Sequence, residues 1–62
     1  MRREQKESLL RMVVEKVRKM GFDVKEVNVH RLTLRAEKNG KAWRVIVVPF
    51  KGGGWDWAWL PA

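Results

Sequence analysis

The chain has no cysteine and no tyrosine, one histidine, two prolines and no long uninterrupted apolar run. Each shortage removes a class of protein. Without cysteine, neither a disulfide framework nor a thiolate metal site can staple the fold. A single histidine, His30, among scattered carboxylates leaves no zinc-ligand set and no Ser-His-Asp constellation. No stretch reaches the roughly 18 to 20 apolar residues of a membrane span, and the charged N-terminus lacks the apolar run of a secretion signal. These absences predict an intracellular, cytoplasmic protein that is not an enzyme, with no metal, cofactor, membrane or small-molecule substrate.

What remains is short and basic. A chain of 62 residues has room for one domain and buries only roughly 60% of its unfolded surface, so its core must be rich. An apolar share of 45% and four tryptophans supply that, since each buried aromatic removes about 150 to 250 Å² from water. Abundant Lys, Arg, Glu and Val with little Asn or Gln resembles thermophile usage. Fourteen basic residues against seven acidic ones give a net charge of +7. On so small a body that charge attracts polyanions, although it also serves solubility.

From Arg3 to Met20 the apolar residues Leu9, Leu10, Met12, Val13, Val14, Val17 and Met20 recur at helical spacing, and Gly21 is a natural stop. Glu7 with Arg11 and Glu15 with Lys19 form acid-before-base pairs at i,i+4. The apolar arc, about 200°, is wider than the roughly 100° stripe of simple docking and calls for a second apolar neighbour.

After Gly21 the residue types turn to Val, Thr, Phe and Trp and the period to two, predicting strands over about 24–37, 41–50 and 55–60. The parity of the apolar positions flips near His30 and Arg31 without obvious turn residues, which predicts one long strand with a bulge. Asn39-Gly40 is the strongest short-range hairpin signal. A two-residue loop there sets Ala36 against Trp43, Leu34 against Val45 and Leu32 against Val47 on one surface. On the other it sets Arg35 against Arg44, Thr33 against Ile46 and Arg31 against Val48. Like charges directly across a ladder are unfavourable. Arg31, Arg35 and Arg44 on one sheet face, extended by Lys38, Lys41 and Lys51, make a candidate phosphate-tracking surface. Alternatively Glu37 merely neutralises the arginines and nothing binds.

Gly52, Gly53 and Gly54 precede an alternating segment in which Trp55, Trp57 and Trp59 share a face. Loop length decides which face. A three-residue loop pairs Lys51 with Trp55 and Val47 with Trp59 and makes the indoles core. A two-residue loop pairs Phe50 with Trp55 and puts them beside the arginines, as stacking platforms for single strands or as an interface. Pro49, which cannot donate to a ladder, suggests a bulge or incomplete pairing. The glycine run is no phosphate loop, because Lys51 precedes it and no Gly-Lys-Ser or Gly-Lys-Thr closes it.

The helix, Gly21-Phe22-Asp23-Val24 and the run Val45-Ile46-Val47-Val48-Pro49-Phe50-Lys51, in the order helix, Gly-aromatic-x-Val, strand, strand ending in Lys, resemble the core of restriction-endonuclease-like nucleases and Holliday-junction resolvases. Those families hold Mg²⁺ with an Asp on the second strand and an acid two residues before the lysine. Here His30 or Arg31 stands near the first position and Pro49 at the second, so the resemblance implies an inactive, shortened relative.

Together these features predict an α+β fold with one N-terminal helix on a three- or four-stranded antiparallel meander. The expected function is largely sequence-independent binding of DNA or RNA. The alternative is a protein-interaction or homodimerisation module built on the tryptophan strand.

Overall fold

A computed structural model describes residues 1–62 and has one helix and one sheet, α1 Arg3–Lys19, β1 Asp23–Asn28, β2 Thr33–Lys38, β3 Lys41–Pro49 and β4 Trp55–Pro61. The sheet is an antiparallel meander in the order β1-β2-β3-β4. The fold is α+β, as the change of period at Gly21 predicted.

Both ends of the helix are finished locally. Gln5 Oε1 accepts the Arg2 N–H at 3.0 Å. At the other end Gly21, with φ +93°, donates to the Arg18 carbonyl at 2.9 Å, and Phe22 N–H reaches the Val17 carbonyl at 3.4 Å. These two bonds are the Schellman pattern, which needs the left-handed conformation that glycine adopts freely. Lys38 Nζ donates to the Met20 carbonyl at 3.2 Å and lies 5.2 Å from the centre of the Phe22 ring. On the helix surface Glu7 pairs with Arg3 at 3.0 Å rather than with Arg11, and Glu15 and Lys19 make no ion pair.

Leu10, Val13 and Val17, spaced for one helical stripe, are fully buried against Leu34, Ala36, Val45 and Val47, with Leu32 closing the cluster. Leu9, Val14, Phe22 and Trp55, Trp57 and Trp59 pack around it half-buried. The wide apolar arc thus meets both the sheet and the tryptophans, but Met12 lies outside that contact and is 50% exposed.

The expected long strand over 24–37 is two strands. Asn28 Oδ1 accepts the Arg31 N–H at 3.0 Å and the Val29 carbonyl accepts the Leu32 N–H at 3.3 Å, folding the chain back on itself. Asparagine is the turn former here, through its side chain. Leu32 takes φ +55°, a conformation costing a β-carbon-bearing residue roughly 1–2 kcal/mol, offset by burial of its side chain. The parity flip in the sequence is this connection. A bulge does occur, but earlier, at Lys25 between the paired residues Val24 and Glu26.

The Asn39-Gly40 hairpin has the predicted register, with Ala36 opposite Trp43, Leu34 opposite Val45, Arg35 opposite Arg44 and Thr33 opposite Ile46. Asn39 and Gly40 have φ of +53° and +77°, as a mirror-image two-residue turn requires. Arg31 does not pair with Val48, since β2 begins at Thr33.

Candidate functional site on the open sheet face

The helix covers one face of the sheet and leaves the other bare. Side chains directly opposite in an antiparallel ladder share a face, so the pairs of the three ladders fix what the bare face carries. On β1 and β2 these are Asp23, Glu26, Asn28, Thr33, Arg35 and Glu37. On β3 and β4 they are Ala42, Arg44, Ile46, Val48, Asp56, Ala58 and Leu60. The face is charged toward β1 and apolar toward β4, where Val48 and Leu60 are 46% and 48% exposed.

A shallow open depression on this face is lined by Arg31, Arg35 and Arg44 together with Glu26, Asn28 and Thr33. Three elements build it. Arg31 is delivered by the Asn28-anchored turn, Arg35 by β2 and Arg44 by β3. The Val47 N–H donates to the Leu32 carbonyl at 2.8 Å. Because bonding alternates along a ladder, Arg35 and Arg44 occupy a non-hydrogen-bonded pair, where Cα atoms approach to about 4.5 Å and side chains lie closest. Arg35 Nε is 3.1 Å from Glu37 Oε2, with the side chains 44% and 38% exposed. A pair so exposed contributes only about 0–1 kcal/mol. The side chains of Arg31 and Arg44 take part in no hydrogen bond or ion pair.

The three lysines do not join this cluster. Lys38 turns to the helix side, where it is bonded to Met20. Lys41, its ladder partner, faces the same way at the hairpin tip. Lys51 lies in the β3–β4 turn at the opposite end of β3, a nine-residue strand spanning about 30 Å at roughly 3.3 Å per residue.

The tryptophans are on the helix side. Trp55, Trp57 and Trp59 pair with Pro49, Val47 and Val45, two residues away from the register counted on a Gly52–Gly54 loop and therefore on the same face. The two-residue loop, with Phe50 opposite Trp55, does not form. Instead Phe50 N–H bonds the Gly54 carbonyl at 3.0 Å and Gly53 N–H bonds the Phe50 carbonyl at 3.2 Å, leaving Lys51–Gly53 as a three-residue turn. Pro49 breaks no pairing. Its missing N–H would have pointed toward β2, which has already turned away. The indoles run as an edge-to-face ladder, Trp55 to Trp57 at 5.2 Å and Trp57 to Trp59 at 5.4 Å between centroids, continuing to Trp43 at 6.5 Å. Lys16 Nζ stands 5.8 Å from the Trp55 ring centre.

Around the positions singled out by the nuclease resemblance, His30 and Arg31 sit in the β1–β2 turn, Pro49 ends β3 and Lys51 is in the following turn. No group of three or more His, Cys, Asp or Glu side chains converges as a metal site. No helix is long and apolar enough to cross a membrane. Sequence reasoning missed Glu26 and Asn28 as neighbours of the arginines. An Asn three residues before an Arg was the available sign of the turn that brings them there. Comparison with protein-family models, curated proteins and solved structures finds no match.

Proposed function

We propose that the protein binds nucleic acid with little regard to sequence, through Arg31, Arg35 and Arg44 on the open sheet face. The observation that carries this is the apposition of Arg35 and Arg44, two like charges at the closest kind of ladder site, beside Arg31, with two of the three guanidinium groups unengaged. Such an arrangement costs stability where it stands, and a phosphate backbone would relieve it. Releasing Arg35 from Glu37 costs little, because that pair is exposed. The net charge of +7 supplies the long-range attraction. No aromatic residue lines the depression that holds the arginines, so contact is with phosphates rather than stacked bases. Glu26, directly opposite Arg35 on β1, and Glu37 beside it limit the site to a few phosphates. Lys38 and Lys41 lie outside it, and Lys51 contributes only to the general field.

The test is fluorescence anisotropy of labelled single-stranded and duplex oligonucleotides against salt. Log affinity should fall linearly with log salt, and the Arg35→Gln, Arg44→Gln double variant should weaken binding equally for all sequences and flatten the slope by about two phosphate contacts. Unchanged binding by that variant would refute the assignment. Tryptophan emission should respond weakly, the indoles being on the far face.

A second reading, a protein-interaction module, is favoured by the apolar end of the same face, where Val48, Ala58 and Leu60 are exposed around the half-buried Ile46 at an uncovered edge strand.

A further inference from the structure

The two edges of the sheet are guarded unequally. β1 carries a bulge at Lys25, and Asp23, Lys25 and Glu26 place charges along it. Bulges and charges are usual defences of an edge. β4 pairs with β3 without a bulge over all seven of its residues. From Gly52 to Ala62 the only charged side chain is Asp56, although the chain as a whole has twice as many basic as acidic residues.

The bonding pattern identifies what β4 turns outward. Phe50 N–H bonds the Gly54 carbonyl and Ala62 N–H the Ala42 carbonyl. With bonds alternating along the ladder, Asp56, Ala58 and Leu60 bond to β3, while Trp55, Trp57 and Trp59 direct their N–H and C=O groups away from the sheet. Asp56 Oδ1 accepts the Trp57 N–H at 2.8 Å, so the middle of the edge satisfies itself in the isolated chain. Pro61 has no N–H to offer.

We propose that β4 is a dimerisation edge, and that its occupant is β4 of a second copy of this chain, antiparallel and centred on Trp57. In this register Trp55 pairs with Trp59 of the second copy and Trp57 with Trp57 of the second copy. The three outward N–H groups of each copy all find a carbonyl, and Pro61 falls outside the paired segment. Asp56 comes opposite Ala58 of the second copy. A shift by one residue that centres the axis on Asp56 would instead oppose the two carboxylates, an unfavourable like-charge pair.

Because this strand carries no basic residue, the two copies meet where the positive charge is lowest. The two-fold axis stands perpendicular to the sheet, which becomes continuous over eight strands with both helices on one side. Both arginine clusters then share the other side, offset by four strand spacings across the sheet, about 19 Å at roughly 4.8 Å each, and by about 20 Å along the strands, because Leu60 opposite Arg44 lies three residues from the axis. The dimer does not depend on nucleic-acid binding, but it would make that binding bivalent.

The register can be tested at Ala58, which is exposed in the monomer and bonded only to β3. Ala58→Asp opposes carboxylates twice across the axis, and Ala58→Lys faces Asp56 twice. Sedimentation velocity of the full chain without ligand, from micromolar to near-millimolar concentration, should show a monomer–dimer equilibrium. Ala58→Asp should weaken it by roughly twofold to thirtyfold and Ala58→Lys strengthen it, with circular dichroism confirming that both variants fold. Added salt should favour the dimer by screening the repulsion of two +7 bodies, the opposite of its effect on nucleic-acid binding, so the two proposals fail separately. Slowed amide exchange at Trp55 and Trp59 in concentrated samples would support the pairing directly. A monomer at every concentration, or a dimer indifferent to both Ala58 variants, would overturn it.

Discussion

Replacing Arg44 by glutamine should make the protein more stable and a weaker ligand for polyanions. Arg44 stands opposite Arg35 at a non-hydrogen-bonded site of the β2–β3 ladder, where the Cα separation is about 4.5 Å. A like-charge pair directly across a ladder costs within roughly 0.2–1 kcal/mol, and Glu37 reduces this by engaging Arg35 through an exposed contact worth about 0–1 kcal/mol. The expected gain is therefore some tenths of a kcal/mol and at most about 1 kcal/mol, the upper figure raising the midpoint of a domain this size by about 4–8 °C. Because the repulsion is exposed, the gain must shrink as the screening length falls from about 10 Å at 0.1 M salt to about 3 Å at 1 M. Thermal unfolding followed by tryptophan emission at both salt concentrations measures it, and anisotropy titration of the same variant should show the salt slope reduced by about one. A loss of stability, or a gain that persists undiminished at 1 M salt, would refute the electrostatic account and point to packing of the new side chain near Leu60.

Gly40→Ala should destabilise by about 1–2 kcal/mol through backbone conformation alone, since a methyl group there meets nothing within 4 Å while φ is +77°. Urea denaturation should show a lower midpoint with an unchanged slope, and Asn39→Gly should cost far less. Lys38→Met should remove the bond to the Met20 carbonyl, costing about 0.5–1.5 kcal/mol with its stem still lying against Phe22. Oligonucleotide affinity should follow only the small loss of net charge, separating this structural lysine from the arginines of the open face.

Much of the fold was legible because it rests on short-range chemistry. The helical spacing of Leu10, Val13 and Val17, the glycine after the helix and the Asn39-Gly40 turn each name their own conformation, and the turn carried the Arg35–Arg44 apposition with it. Two features were not legible, each for its own reason. The β1–β2 reversal uses Asn28 as its anchor and a leucine at positive φ, a conformation that only the burial of Leu32 sustains. The tryptophan face depended on which residues of the Phe50–Gly54 segment would pair, and three adjacent glycines leave that to tertiary packing, where three indoles gain more against Val45 and Val47 than on the bare face. Lys38 and Lys41 stand at the hairpin tip as expected, but the same alternation that sets Arg35 and Arg44 on the open face turns them to the other one.

The strand order that follows the chain also governs how the protein comes to be folded. Every ladder joins neighbours in sequence across short connections, so each hairpin can close on its own in about 1–10 μs, and slow encounters between distant segments are few. The exception is the helix. It is synthesised before the strands, yet the partners of its buried stripe include Val45 and Val47, so it has to wait for most of the sheet before it can dock. β4 then adds last, to a sheet already formed, and as the terminal unit of the meander it is the first that can detach without unravelling the rest.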